Sequence, residues 1–144
     1  MTMKIVVGYP PMIKEIDAKF HVKHRPVIFS WGDTIFNPMG GAIQPELIAH
    51  EEVHGQRQRE VGAGVVEWWT LYIHSSKFRL DEEVAAHIAE YQYLVEHAEN
   101  RKARKSALGY VARRLADPLY GRMVTRKTAM KLIDPAFRRK VERR

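Results

Sequence analysis

Pro45-Glu46-Leu47-Ile48-Ala49-His50-Glu51-Glu52-Val53-His54, continued by Gly55-Gln56-Arg57-Gln58-Arg59-Glu60, is the stretch on which the fold turns. Proline is tolerated in the first turn of a helix, and Gly62 and Gly64 stop one, so the spacing predicts a helix from Pro45 to about Glu60. Residues four apart stack on one helix face. His50 and His54 can therefore aim two imidazoles at one ion. Glu51, beside the first, is angled toward a water on that ion and not toward the ion itself. Leu47 and Gln58 share the histidine stripe, while Ile48, Ala49 and Val53 fill other faces. A helix apolar on several sides tends to be buried, and buried histidines need partners. The stretch thus predicts a metal-holding helix inside the fold.

A catalytic zinc takes three protein ligands and keeps one position open. The 144 residues contain no cysteine, so His and carboxylate must supply them all. Disulfides, Cys-based zinc fingers and thiol nucleophiles are excluded on the same ground. Downstream, Asp81-Glu82-Glu83-Val84-Ala85-Ala86-His87 opens a further helix, with Asp81 as a suitable N-cap and an end near Asn100. At about 100° per residue, Leu80, Val84, Ile88, Tyr91 and Val95 form its buried face. Glu82 then falls nearly opposite that face and Glu83 lies beside His87. Glu83 is the better third ligand, and Glu82 stays the alternative. His87 is a candidate for supporting a ligand or for donating to a substrate oxyanion. His21, His24, His74 and His97 read as ordinary loop or helix residues.

His50-Glu51-x-x-His54 with Glu83 on a later helix resembles the gluzincin branch of zinc metallopeptidases in a minimal form. The branch that takes a third His from the same helix fits less well, because Arg57 and Glu60 stand where its Gly and His would be. More loosely, Tyr9-Pro10-Pro11, Gly32-Asp33-Thr34-Ile35-Phe36-Asn37-Pro38 and Phe78-Arg79-Leu80-x-Glu82-Glu83 resemble short zincin-like proteins of tailed bacteriophages. The gluzincin resemblance implies a zincin-like α+β fold, Zn2+ on His50, His54 and Glu83, and hydrolysis of a peptide or protein substrate. It makes Glu51 the catalytic base, taking a proton from the attacking water and passing it to the leaving amine. It further implies a Tyr or His at the oxyanion, for which Tyr91, Tyr120 and His87 are the candidates. An edge strand before the metal helix would bind substrate as an added strand, and Thr34-Ile35-Phe36 is the candidate. The phage resemblance implies a place in the host cytoplasm or in the virion, the latter with a protein partner.

The remaining chain reads as a mostly helical α+β protein with 45% hydrophobic and 28% charged residues. Lys4-Ile5-Val6-Val7, Pro26 to Trp31 and Thr34 to Phe36 read as strands of a small antiparallel sheet. Helices are predicted over Pro11 to Phe20, Val65 to Ser75, Ser106 to Leu115 and Arg126 to Ile133. A break falls at Asp117-Pro118 and Gly121, and Arg138 to Arg144 reads as a frayed end. Met1 to Pro10 lacks a signal-peptide pattern, and the apolar run from Val65 to Ile73 is too short to span a bilayer. A non-exported protein without a membrane partner is expected.

The net charge of +7 is unevenly placed. Residues 1–100 carry 9 Lys and Arg against 14 Asp and Glu, whereas residues 101–144 carry 15 against 3. This suggests a metal-binding domain over 1–100 and a basic helical extension over 101–144, packed on it or trailing from it. Arg101, Lys102, Arg104, Lys105, Arg113 and Arg114 are candidates for contacting nucleic acid or a partner protein. A second function class follows from the same features: a structural or virion protein in which zinc only staples helices. Such a site would be closed by a fourth protein ligand, such as Glu60 or His87.

Overall fold

Three short strands precede the helical bulk of the chain in a computed structural model that describes residues 2–62 and 64–143. They are β1 (Lys4–Val6), β2 (Phe29–Trp31) and β3 (Thr34–Phe36). The helices are α1 (Ile13–Phe20), α2 (Pro45–Glu60), α3 (Val65–His74), α4 (Ser76–Glu96), α5 (Arg101–Leu115), α6 (Arg126–Ile133) and α7 (Pro135–Glu142). The architecture is α+β and mostly helical, as the sequence predicts.

The sheet order is β1-β3-β2. Gly32 takes the left-handed conformation in the β2–β3 turn, and the two strands pair antiparallel with Ser30 opposite Ile35. The first strand departs from the expected antiparallel sheet: β1 pairs parallel to β3, with Ile5 opposite Ile35. A parallel pair needs a crossover connection, and the segment containing α1 provides it. Thr34–Phe36 is thus the central strand, hydrogen-bonded on both sides, and cannot receive a substrate as an added strand. On the outer edge of β2, the Ser30 carbonyl is taken by Gln58 Nε2 at 2.9 Å and by Trp69 Nε1 at 3.0 Å.

The hairpin sits directly on α2. Gly32 N–H donates to Gln58 Oε1 at 2.7 Å, and Arg59 Nη1 donates to the Gly32 carbonyl at 2.7 Å. Gly55 makes this approach possible: a Cβ there would stand 2.5 Å from the Gly32 carbonyl oxygen and 2.7 Å from Met3 Cε. One apolar core, with Ile16, Val22, Phe29, Trp68, Trp69, Tyr72 and Ile73, joins α1, β2 and α3.

Helix α4 begins earlier than the expected Asp81. Ser75 is its N-cap, with Oγ accepting from Phe78 N–H at 3.1 Å, and Asp81 lies a turn inside, paired with Lys77. Two faces of α4 are used. Leu80, Val84, Tyr91 and Leu94 pack on a second apolar core of Leu108, Val111, Ala112, Leu115, Ala129 and Ile133 from α5 and α6. The more deeply buried face is different: Arg79, Glu82, Glu83, Ala86, His87 and Glu90. The expected apolar face exists, yet it is only half-buried, and Glu82 does not point to solvent.

The C-terminal helices therefore dock on α4. Asn100 caps α5, its Oδ1 accepting from Ala103 N–H at 2.8 Å, so this helix starts five residues before the expected Ser106. A 3-10 turn over Pro118–Tyr120 fills the expected break. The segment expected to fray instead forms α7, capped by Asp134 and carrying an Arg138–Glu142 pair; Arg144 lies outside the described residues. Among the described residues, no helix is long and apolar enough to cross a membrane.

Candidate metal centre

A helix in a soluble fold normally buries an apolar stripe. Helix α2 instead buries His50, Glu51, His54, Gly55 and Gln58. Opposite it, α4 buries Glu83, His87 and Glu90, which share one face because they stand at i, i+4 and i+7. Charged side chains are almost never fully buried unless they are paired. Two polar faces pressed together are the structural sign of a site.

His50 Nε2 stands 3.3 Å from Glu83 Oε1, and His54 Nε2 stands 3.0 Å from Glu83 Oε2. Both histidines and Glu83 thus offer ligand atoms that lie within 4.8 Å of one another. The donor set, two imidazole nitrogens and one carboxylate, is the kind a three-ligand zinc site uses. Glu83 Oε1 is buried with no hydrogen-bond partner among the described residues, which fits an oxygen reserved for a cation. Glu82, the alternative ligand, is already committed: one oxygen accepts from Trp68 Nε1 and the other from Arg57. It clamps α2, α3 and α4 together.

Each ligand is oriented by a neighbour. His50 Nδ1 lies 2.9 Å from Glu90 Oε1, and since a carboxylate can only accept, Nδ1–H is the donor and Nε2 is left facing Glu83. Tyr72 OH donates to Glu83 Oε2 at 2.6 Å. His87 Nδ1 donates to the backbone carbonyl of Glu83 at 2.7 Å, which leaves its Nε2 as a buried acceptor without a partner among the described residues. His54 packs its ring edge-on against Trp68 at 5.3 Å between centroids. Its Nδ1 is buried and has no partner among the described residues.

Electrostatics follow the same geometry. Burial opposes the charged form of His50, but the adjacent carboxylates of Glu83 and Glu90 outweigh it and hold its pKa up at about 10. Burial also opposes an ionised Glu83, yet His54 and His50 keep it well below the usual carboxylate range. Burial, reinforced by the charge of His50, pushes His87 down to about 3, so this ring is neutral. A neutral His87 whose proton sits on Nδ1 has no N–H to offer an oxyanion.

Glu51 is held apart from the ligand cluster. Ser30 Oγ on β2 reaches both Glu51 Oε2 and the Glu51 backbone carbonyl, the latter at 2.8 Å. A cavity of about 60 Å³ is bordered by Glu51, His50, His54, Glu83 and Tyr120, with Phe29, Trp69 and Leu119 among its apolar walls. That volume accommodates several waters, each needing roughly 10–15 Å³. Tyr120 is brought to this wall by the 3-10 turn, where Arg79 Nε donates to its backbone carbonyl at 3.1 Å. Burial, and next the carboxylate of Glu83, push its phenol well above the usual range, so it remains a donor.

Other expected site residues lie elsewhere. The Tyr91 hydroxyl points to Asp134 on the second core at 3.4 Å. His21, His24, His74 and His97 are exposed, as are Arg101, Lys102, Arg104, Lys105 and Arg113. Arg114 differs from that set in being half-buried, with its Nε donating to Glu90 Oε2 at 2.8 Å. Sequence reasoning missed Ser30, Tyr72 and Glu90 as parts of the centre. The i+7 spacing of Glu90 from Glu83 is the signal that could have found one of them. Compared with known proteins, the chain matches no family model, no curated protein and no solved structure.

Proposed function

We propose that this protein is a zinc-dependent peptidase with a minimal, gluzincin-like centre and zincin-like packing of α2 against α4. His50, His54 and Glu83 hold the ion, and Glu51 is the catalytic base. The observation that carries this reading is the convergence of His50 Nε2, His54 Nε2 and the Glu83 carboxylate beside a cavity that Glu51 also borders. When bound, zinc supplies a Lewis acid that polarises a carbonyl and acidifies water.

The chain's own groups then have distinct tasks. Glu51, aimed by Ser30, accepts a proton from the attacking water and returns it to the leaving amine. Tyr120, a protonated phenol at the cavity wall, donates to the developing oxyanion. The apolar walls exclude bulk water and strengthen both interactions. Of the two candidates for a fourth protein ligand that would close the site, Glu60 is exposed and bonded to Gln56. His87 keeps Nε2 as a buried acceptor close to His50 and Glu90, so a zinc shell that includes His87 would favour a closed, structural site over the catalytic one.

The test is hydrolysis of a peptide library by the zinc-loaded protein and by Glu51→Gln. Removing a general base costs about 10²–10⁴ in rate. The variant should lose activity by that factor while keeping one equivalent of zinc; undiminished turnover would refute the role of Glu51.

A further inference from the structure

The basic C-terminal segment sends one arginine inward. Helix α5 docks on α4 through Leu108, Val111, Ala112 and Leu115, and this register places Arg114 against α4. Arg114 Nε donates to Glu90 Oε2 at 2.8 Å, and the other oxygen of Glu90 accepts from His50 Nδ1 at 2.9 Å. Glu90 is completely buried. An unbroken chain therefore links α5, α4 and α2: guanidinium, carboxylate, imidazole, and then the Nε2 that faces Glu83.

Each link constrains the next. A His whose Nδ1–H is held by a carboxylate must present Nε2 to the ion, and its ring cannot rotate without breaking that bond. The carboxylate can hold the ring only if its own rotation is fixed. Arg114 fixes it, with a rigid, planar donor that lysine lacks. Without that donor, Glu90 has an unpartnered buried oxygen and would swing toward another donor, releasing Nδ1.

We infer that Arg114 is a positioning residue of the metal centre, acting through Glu90 to set the orientation and tautomer of His50. The C-terminal helices are in that sense part of the centre. The inference rests on the zinc reading above, and it differs from a plain α4–α5 staple by predicting that metal properties respond to Arg114.

The experiment is zinc affinity by chelator competition, with the visible spectrum of the cobalt-substituted protein, on the full chain. Wild type, Arg114→Gln, Arg114→Lys and the exposed control Arg139→Gln are compared, each checked for folding by circular dichroism. Loss of a group that supports a metal ligand typically costs 10–100-fold in affinity. Arg114→Gln should bind zinc at least about tenfold more weakly and shift the cobalt bands. Arg114→Lys should fall between it and wild type, and Arg139→Gln should match wild type. A folded Arg114→Gln with wild-type affinity and spectrum overturns the inference. Should that variant not fold, the Arg114 Nε–H resonance of wild type decides. Slow solvent exchange and a shift on zinc addition support the chain; exchange as fast as at Arg139, or no shift, overturns it. A wild type that binds no divalent metal removes the zinc reading itself, and this inference with it.

Discussion

At the scale of single residues, the centre depends on atoms that the motif alone does not specify. Ser30 comes from a strand that precedes the metal helix by fourteen residues, yet it is the donor that aims Glu51. Ser30→Ala should leave zinc binding intact and lower peptide turnover by on the order of tenfold to a hundredfold, the cost of a misplaced catalytic group. Steady-state rates and metal content measured on the same preparation check this. A drop in zinc content matching the drop in rate would instead make Ser30 part of the metal-holding structure. In the proposed mechanism Tyr120 takes the oxyanion role rather than Tyr91 or His87, because Tyr91 is turned to Asp134 and His87 spends its proton on the Glu83 carbonyl.

At the scale of elements, the close approach of the β2–β3 hairpin to α2 is the contact on which Glu51 depends. Gly55→Ala would put a Cβ inside contact distance of the Gly32 carbonyl. Overpacking of this kind costs about 1–3 kcal/mol. Urea unfolding should show a loss of that size, and activity should fall further than metal binding because Ser30 moves with the hairpin. Stability unchanged from wild type would show that the hairpin yields freely. Helix α2 was legible in the sequence to the residue, since Pro45 and Gly62 punctuate it. The α4 site face was not. Leu80, Val84 and Tyr91 do form an apolar stripe, but it meets α5 and α6, while Glu83, His87 and Glu90 take the deeper face against α2. Hydrophobic periodicity reports which residues prefer burial and is silent on polar groups buried for chemistry. Glu83 does lie beside His50 and His54, whereas Glu82, expected nearly opposite the apolar face, is held inside by Arg57 and Trp68. The parallel β1 and the α7 helix depended on tertiary pairing, which local pattern does not encode.

For the whole molecule, burying Glu51, Glu82, Glu83 and Glu90 with His50, His54 and His87 makes the metal-free state pH-sensitive. His50 is held above its ordinary 6.5, so its contribution is complete below 6.5 and is lost as pH rises toward about 10. His87 is held below 6.5, so its contribution is complete above 6.5 and is lost as pH falls toward about 3. Glu83 and Glu90, both lowered from 4.5, add stability above 4.5 that disappears in acid. Metal-free protein should therefore melt highest near pH 6.5 and lower on either side. Zinc should raise the melting temperature most at alkaline pH, where binding no longer competes with the proton on His50. Melting curves across pH with and without zinc check both statements, and a flat metal-free profile would contradict the burial of these groups.

The central claim is a three-ligand zinc site, and the coordination shell of zinc in the purified protein tests it most directly. X-ray absorption on the zinc-loaded chain, with His50→Ala, His54→Ala and Glu83→Gln as comparisons, reads that shell. The account predicts two imidazole nitrogens, one carboxylate and one exchangeable non-protein ligand, with each substitution removing one protein contact or the metal. A shell of four protein ligands, or zinc retained in full by all three variants, would contradict it.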